Sequence, residues 1–301
     1  MTLKGSIATV LLTAILLFPG GTAVGQDSVS AGQWTQLVEQ MGNQGSINWS
    51  AGYIEAIGIG APPAQYMGKP QARPMALRAA QVDALRNLLE ITKGVRVDSA
   101  TSVSDFTVTS DVINTQVEGV VKGAKVMKQE YMSDGTVEVT VRMSLTGNLA
   151  PIIMPRVLDK KPETPPPALP PPTAPPAIAP PIAPPAVGVV YTGVVIDARG
   201  IQVRPAMSPK IIDETGREVY GAMQVDREFA IQQGMTGYAR DLTAAMTNPR
   251  VTNNPLTLKG IKAEGAGKAD IVISNKDADM IRTVAENLAF LKKCRVMIVL
   301  D

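Results

Sequence analysis

The stretch RPMALRAAQVDALRNLLEITKGVRV, residues Arg73–Val97, decides the fold of the first half of this 301-residue chain. Pro74 suits the start of a helix, because proline lacks the N–H that a first turn leaves unbonded. Gly94 suits its end. The apolar residues between them recur at helical spacing: Leu77, Ala80, Ala84, Leu88 and Ile91, with Leu85 and Leu89 at the margin. The stretch therefore predicts an amphipathic helix whose alanines let it lie close against a sheet.

The polar residues of the same stretch gather on the opposite side of the predicted helix. Asp83 and Arg86, and then Arg86 and Glu90, are spaced for ion pairs along a helix surface. Asn87 falls among them. We therefore expect this side, Asn87 included, to face water.

The flanks of the helix read as strands, turns and one more helix. We predict a strand ending in a glycine-rich turn at Tyr53–Pro62, a short strand at Val103–Val108 and a second helix at Asp111–Val121. The segments Gly123–Met132 and Thr136–Leu145 read as a β-hairpin.

The turn of this hairpin is Asp134-Gly135, a pair that tolerates the positive φ of tight turns. Apolar and polar residues alternate along the second strand, which indicates one buried and one solvent-exposed face. Upstream, Trp34–Met41 fits a short helix within a polar lead-in, residues 26–46.

The order of these elements resembles a known family. The strand YIEAIGIGAP, the helix with its DALRNLLE core, the GVRV exit and the step VEGVVKGAKV are similar to the LPP-twenty lipoproteins and to the N-terminal domain of flagellar assembly protein T. The resemblance covers residues 47–145, and we assign this domain to residues 47–150. It implies a small α+β envelope domain without catalytic residues, so it supplies no active site.

The composition excludes several classes of function. Histidine is absent and Cys294 is the one cysteine, which excludes a Ser-His-Asp triad, a histidine metal site, an internal disulfide and a cysteine zinc cluster. The formal net charge of +2 gives no nucleic-acid footprint. No catalytic, cofactor-binding or metal residue is assigned, and no cofactor is expected.

The first residues are typical of an export signal. Lys4 precedes the apolar run Ile7–Phe18, and small residues follow. We predict a signal peptide at residues 1–25, cleaved after Gly25 or Ala23, against the alternative of an uncleaved anchor. The lipoprotein relatives need a cysteine at this site, and the sequence has none there, so a lipid anchor is not expected.

The two halves are joined by a proline-rich tract. Residues 159–187 contain 13 prolines among 29 residues, a composition typical of an extended polyproline helix reaching about 80 Å at about 3.1 Å per residue. We interpret it as a stiff spacer that holds the second domain away from the first. Docking of the tract into a proline-binding groove is the alternative.

Residues 188–301 form a second domain, for which no family is recognised. Strands are predicted at Val189–Asp197, Lys210–Ile212, Pro255–Ala263, Asp270–Ser274 and Cys294–Leu300, and helices at Asp226–Gln233, Tyr238–Met246 and Lys276–Leu288. The last strand, helix and strand suit a right-handed parallel crossover.

Two glycine-rich segments are candidate phosphate sites. Gly58–Pro62 lacks the third glycine of a dinucleotide loop, and its prolines remove N–H donors, so it reads as a turn. Gly265–Lys268, here the GAGK loop, is not a P-loop, because Ala269 replaces the required Ser or Thr and a strand follows.

Each of the other candidate residues has a structural and a functional interpretation. Asp277 and Asp279 resemble a metal pair, yet they suit the first turn of a helix capped by Ser274 or Asn275. Cys294 lies between Lys293 and Arg295, and these cations would lower its thiol pKa; an inert buried cysteine is the alternative. The lysines at 122, 125 and 128 form a weak basic cluster, either solvated or facing an anionic partner.

The sequence thus predicts an α+β protein of two small domains joined by a proline-rich linker, after a signal peptide. We expect a periplasmic or outer-membrane-associated protein, not an enzyme, that acts in binding and assembly. Envelope or flagellar proteins and peptidoglycan are the expected partners, without nucleic acid and without a transmembrane segment after cleavage. A glycan-binding module and a hydrolase using carboxylates such as Asp197, Asp213 and Asp270 stay open as alternatives. The sequence leaves the oligomeric state open.

Overall fold

The computed structural model describes residues 36–159, 191–283 and 285–301, without the side chains of 283–288. The predicted signal peptide, the lead-in up to residue 35 and the proline-rich tract from residue 160 lie outside the described residues. The protein is α+β, with one domain on each side of the tract.

The first domain has one antiparallel sheet with strand order β1-β2-β3-β5-β4. Its strands are β1 (Val38–Met41), β2 (Gly45–Asn48), β3 (Tyr53–Gly60), β4 (Lys125–Tyr131) and β5 (Val137–Ser144). Its helices are α1 (Ala72–Lys93), α2 (Val103–Thr109), α3 (Asp111–Lys122) and α4 (Ala150–Leu158), with a 3₁₀ turn at Ala64–Tyr66 and a π-helical turn at Leu145–Leu149.

Helix α1 lies on β3 and β5, and glycine sets how closely it lies. A Cβ atom at Gly58 would be 2.1 Å from the backbone nitrogen of Ala84 and 2.4 Å from the carbonyl oxygen of Ala80. A Cβ at Gly60 would be 2.2 Å from the carbonyl oxygen of Ala76. Glycines on the strand and alanines on the helix therefore bring the two backbones into contact. The expected turn at Gly58–Pro62 is wrong, because both glycines lie within β3.

The polar side of α1 differs in part from the prediction. Asn87 is buried, and its side-chain amide donates to the carbonyl oxygen of Ile57 at 2.8 Å. The Asp83 carboxylate accepts from the N–H of Ile59 at 3.0 Å. Both side chains therefore fasten the helix to β3, whereas Arg86 and Glu90 are exposed as expected.

Helix α3, the hairpin β4–β5 and the turn at Asp134-Gly135 agree with the predictions. The short strand expected at Val103–Val108 is wrong: this segment is α2. Ser102 and Asp105 form a capping box, whose reciprocal hydrogen bonds satisfy the first N–H groups of a helix. Local capping here outweighs the β preference of valine, threonine and phenylalanine.

Two further corrections concern the ends of this domain. The helix expected at Trp34–Met41 is wrong for its described part, where β1 pairs with β2. No helix was predicted at α4, where Pro151 and Pro155 argue against one. Pro151 lies in the first turn, which needs no N–H from it.

The second domain has two four-stranded sheets. The parallel one has the order β10-β6-β13-β9, and the mixed one has the order β11-β12-β7-β8. The strands are β6 (Gly193–Asp197), β7 (Ile211–Asp213), β8 (Glu218–Tyr220), β9 (Gly237–Ala239), β10 (Pro255–Lys259), β11 (Lys262–Glu264), β12 (Asp270–Ile273) and β13 (Val296–Val299). The helices are α5 (Arg227–Gln233), α6 (Leu242–Met246), α7 (Asn275–Thr283) and α8 (Ala285–Lys292).

In this domain most predicted helices and strands are present, but the predicted connections between them differ from the structure. The single strand expected at Pro255–Ala263 is two strands in different sheets, and the helix expected at Tyr238–Met246 is β9 followed by α6. The expected crossover from β12 to β13 is also wrong, because these strands belong to different sheets. The helix expected between them is divided into α7 and α8.

The two domains are not held apart. Described residues of both domains belong to one compact unit, and their buried apolar side chains form a shared core cluster. The expectation that a stiff tract separates them is therefore wrong. Proline content predicts the local stiffness of a linker, but it does not determine whether the domains at its ends attract each other.

Candidate functional site

The contact between the domains begins immediately after α1, with the segment Arg96–Ser99, here called the docking segment. The carbonyl oxygens of Arg96 and Val97 accept from the N–H groups of Met207 and Ser208, at 3.0 and 2.7 Å. The GVRV exit of α1 thus makes backbone hydrogen bonds to the second domain.

Ser99 ends the docking segment inside the GAGK loop. Its hydroxyl oxygen accepts from the N–H groups of Ala269 and Asp270, at 3.1 and 3.0 Å, and its hydroxyl donates to the Glu264 carbonyl oxygen at 3.2 Å. The N–H of Gly267 donates to the Ser99 carbonyl oxygen at 2.6 Å. The GAGK loop therefore binds a serine of the same chain and no phosphate site is formed by it.

A charged pair supports the docking segment from the side. The Arg96 guanidinium lies 2.6 Å from the Glu39 carboxylate and also donates to the Pro205 carbonyl oxygen at 2.9 Å. Glu39 accepts from the indole nitrogen of Trp49 at 3.0 Å as well. Because Arg96 contacts both domains, it fixes the position of Trp49 relative to the interface.

Trp49 and Ser50 form the second contact with the other domain. The rings of Trp49 and Tyr238 meet edge to face, with centroids 5.8 Å apart. The Ser50 hydroxyl donates to the Tyr238 carbonyl oxygen at 2.7 Å. Aromatic pairs of this geometry stabilise a contact by more than the buried area alone would, so this pair helps to hold the two domains together.

A cavity of about 250 Å³ lies between these contacts. Its walls come from both domains: Trp49, Ser50, Ala51, Gly52, Leu145, Thr146, Ala150 and Met154 from the first, and Ala206, Met207, Gln233, Gly234, Thr236, Gly237, Tyr238, Asn248, Arg250 and Met297 from the second. Arg250 is the charged residue of this lining. The cavity wall is therefore polar and apolar in similar measure, with one cation in it.

The guanidinium of Arg250 is held by backbone carbonyl groups. It donates to the carbonyl oxygens of Gly234 at 3.1 Å, Cys294 at 2.8 Å and Gln233. Gln233 is the last residue of α5, and the carbonyl end of a helix attracts a cation. Burial lowers the pKa of Arg250, which the nearby Tyr220 and Cys294 groups oppose.

Cys294, whose carbonyl oxygen accepts from Arg250, has a buried thiol. It is fully buried and follows α8 rather than belonging to β13. Burial raises its pKa to about 11, although the Tyr220 hydroxyl and Arg250 oppose the shift. A thiol with such a pKa is almost entirely protonated at neutral pH, so the inert interpretation is the one that fits.

The carboxylates considered for a hydrolase do not converge. Asp213 lies at the carboxyl end of β7 and Asp270 at the amino end of its parallel neighbour β12, with Asp213 paired to Ile273. Strand rise places their Cα atoms about 10 Å apart along the strand direction. Asp197 belongs to the other sheet, where it pairs with Arg199 at 2.7 Å. Retaining and inverting glycosidases need two carboxylates facing each other across one bond.

Asp213 has a structural setting. Its buried carboxylate accepts from the N–H and hydroxyl of Thr215, from the N–H and guanidinium of Arg217 and from the guanidinium of Arg282. Burial alone would raise its pKa, but hydrogen bonds from Thr215, Arg282 and Arg217 hold this pKa well below the ordinary value. The group therefore ties the β7–β8 turn to α7 as a permanent carboxylate. Burial raises the pKa of Asp270.

The acidic pair of α7 follows the capping interpretation. The Ser274 hydroxyl oxygen accepts from the N–H of Asp277 at 3.0 Å, and Asp279 lies 3.7 Å from Arg282. In the described ranges, no cluster of three or more acidic or cysteine side chains is placed to hold a metal ion.

The basic cluster is exposed and partly paired. Lys122 lies 3.9 Å from Glu118, one turn back on α3, and Lys128 lies 2.8 Å from Glu130 on β4. Lys125 shares the exposed strand β4. These contacts fit the interpretation as solvated surface.

Sequence reasoning did not find the cavity or Arg250. The signal was faint: Arg250 stands in a polar loop, NPRVTNNP, without any periodic pattern around it. Trp49 likewise stands in no motif or periodic pattern that predicts a site. Only long-range contacts bring these residues together, since Trp49 and Arg250 are separated by most of the chain.

The fold and this interface define a class of protein: a two-domain α+β protein with a small cavity between its domains. In the described part of the chain, no helix is long and apolar enough to cross a membrane. The family model of the second domain of Tp0624 from Treponema pallidum matches residues 193–301, from β6 to the last residue. A comparison with curated proteins finds no match. The second domain is therefore similar to that treponemal domain.

Proposed function

We propose that this chain is an exported, non-enzymatic protein of the bacterial envelope that acts by binding and assembly. Two features of the sequence support the proposal: the export-like leader around Ile7–Phe18, and the resemblance of residues 47–145 to LPP-twenty lipoproteins and flagellar assembly protein T. A flagellar or outer-membrane-associated accessory role follows from that resemblance.

The observation that carries the proposal is the outer strand β4. It pairs with β5 on one side, and no described strand pairs with its other side. Its apolar side chains are exposed, with Val126 at 43%, Met127 at 49% and Tyr131 at 51%. Among the described residues, ten of the fourteen large apolar side chains that are exposed belong to the first domain.

A strand with one unpaired edge can accept a strand from another protein, because its N–H and C=O groups offer a ready ladder. Exposed apolar side chains on such a strand add contact area for the partner. Lys125 and Lys128 lie on the same strand, and lysine on an edge discourages indiscriminate association. The surface thus suits assembly with a specific envelope protein.

The test uses a strain that lacks the gene. Wild-type protein should restore motility or envelope integrity, whichever the deletion impairs, whereas Met127→Lys should restore it poorly while its thermal melt stays unchanged. Met246→Lys, at a position 39% exposed in the second domain, is the matched control and should complement fully. Full complementation by Met127→Lys would contradict assembly through β4.

Export and the glycan-binding alternative are tested separately. The intact mass of the mature protein should correspond to cleavage after Gly25 or Ala23, and a retained leader or an added lipid mass would contradict the proposed export route. Retention of the purified protein on isolated cell wall would instead favour a peptidoglycan-binding module.

A further inference from the structure

The arginine in the wall of the interdomain cavity has hydrogen-bonding capacity to spare. Its three hydrogen bonds go to the carbonyl oxygens of Gln233, Gly234 and Cys294. A guanidinium carries five N–H donors, so these bonds leave two donors unused. The three acceptors are neutral, and they satisfy hydrogen bonds without supplying a full negative charge.

Arg250 is half-buried, and its surroundings also lack a counterion. No carboxylate of the described residues forms an ion pair with it; its electrostatic neighbours are the Tyr220 hydroxyl and the Cys294 thiol. Burial raises the pKa of both groups, that of Cys294 to about 11, so both are neutral at pH 7. A buried cation normally has an anionic partner, because removing it from water is costly.

Gly237 is needed for the packing beside this guanidinium. A Cβ atom at this position would lie 3.1 Å from the Arg250 Nε and 2.4 Å from the Met297 sulfur. Any other residue at this position would therefore clash with Met297 and crowd Nε. Because Gly237, Arg250 and Met297 all line the cavity, the glycine lets the guanidinium and the methionine lie side by side in its wall.

The apolar part of the remaining wall matches the apolar part of a ligand. Trp49, Leu145, Met154, Met207 and Met297 line the cavity. Its volume of about 250 Å³ equals roughly eight water molecules at about 30 Å³ each, which is enough for a body such as a phenyl ring with a short chain. Ligand sites typically combine such apolar walls with a few polar groups that fix orientation.

We propose that this cavity binds a small organic carboxylate, with its anionic group on Arg250 and its apolar body against Trp49 and the methionines. A carboxylate matches the planar guanidinium and brings a single charge. A phosphate fits less well, since the lining contains no second cation. The site goes beyond the proposed assembly role, and either could hold without the other.

The binding test uses the full chain in a Trp34→Phe background, which leaves Trp49 as the one tryptophan. Titration with 3-phenylpropionate should change Trp49 fluorescence and saturate, and the neutral amide of the same acid should bind at least tenfold more weakly. A short peptide ending in phenylalanine, with a free or an amidated C-terminus, shows whether a polypeptide terminus can also supply the carboxylate. Equal binding of acid and amide would overturn the proposal.

Variants assign the effect to the cavity. Arg250→Met should weaken binding of 3-phenylpropionate at least tenfold. Arg250→Lys should weaken it less, because lysine keeps the positive charge but lacks the paired N–H donors of a guanidinium. Arg86→Met, which removes an exposed arginine on α1, is the matched control and should bind as wild type does.

A further variant is needed because Arg250 also caps α5, and its replacement could unfold the protein. Ala51→Phe leaves the guanidinium intact, but Ala51 is exposed and lines the cavity, so the larger side chain should obstruct the opening and abolish the fluorescence change. Unchanged binding in Ala51→Phe, or in a folded Arg250→Met, would overturn the proposal.

Discussion

The hydroxyl oxygen of Ser99 accepts a hydrogen bond from the backbone N–H of Asp270 at 3.0 Å, although the two residues lie in different domains. Ser99 is 8% exposed. The same oxygen accepts from Ala269, so one side chain satisfies two backbone donors across the interface. The domains are joined here by hydrogen bonds that neither could make alone.

Replacing Ser99 should therefore weaken the whole protein. Ser99→Ala leaves the N–H groups of Ala269 and Asp270 without their acceptor, and a buried group left unsatisfied costs about 1–3 kcal/mol. We expect a loss of this size in denaturant unfolding. Ser133→Ala, at an exposed position in the β4–β5 turn, should change stability by less than about 0.5 kcal/mol. Equal effects of the two variants would mean that Ser99 does not join the domains.

The contact between β3 and α1 predicts opposite outcomes for two identical substitutions. Gly58→Ala would push a methyl group into the backbone of Ala84, 2.1 Å away, and should cost about 3 kcal/mol or more, because neither backbone can yield easily. Gly119→Ala, on α3 with no atom within 4 Å of the new Cβ, should stabilise by about 0.5–1 kcal/mol. Thermal melts of both variants check this, and a mild Gly58→Ala would show that α1 lies farther from β3.

Asn87 tests the orientation of α1. Asn87→Ala removes the donor to the Ile57 carbonyl oxygen, and we expect a loss of about 1 kcal/mol in free energy of unfolding. Arg86→Ala, one residue earlier on the exposed side, should have little effect. The reverse order of effects would mean that α1 is rotated about its axis.

Asp213 predicts a specific dependence of stability on pH. Because the pKa of its carboxyl in the folded protein lies below the ordinary value of 3.8, folding favours the charged form. This contribution is fully present above about pH 4 and is lost as the pH falls further towards the folded-state pKa. Asp213→Asn should be less stable than wild type at neutral pH, and the difference should shrink in acid.

Unfolding in denaturant at several pH values checks this. Arg282→Gln, which removes one donor to the same carboxylate, should show a similar trend, and the double variant should be less than additive because the residues share one network. A constant difference between wild type and Asp213→Asn from neutral pH to acid would contradict the mechanism.

The sequence by itself determined the elements whose signals are local. Helix α1 follows from apolar spacing between Pro74 and Gly94, and the β4–β5 hairpin from Asp134-Gly135 and strict alternation. The start of α7 follows from a cap at Ser274 or Asn275, between which the sequence does not choose. Each of these signals involves residues within a few positions of one another, so propensity and periodicity suffice. Where two local signals compete, as at Val103–Thr109, β preference pointed the wrong way and the capping box at Ser102 decided.

Only the tertiary structure decided which distant residues contact each other, including those of the two domains. The burial of Asn87, the placement of Ser99 in the GAGK loop and the distribution of β12 and β13 to different sheets all depend on partners far away in the chain. The cavity around Arg250 exists only once Trp49 and Tyr238 meet. No pattern of nearby residues encodes such contacts. The free energy that fixes them comes from packing and hydrogen bonds between residues that are far apart in the chain and come together only in the folded protein.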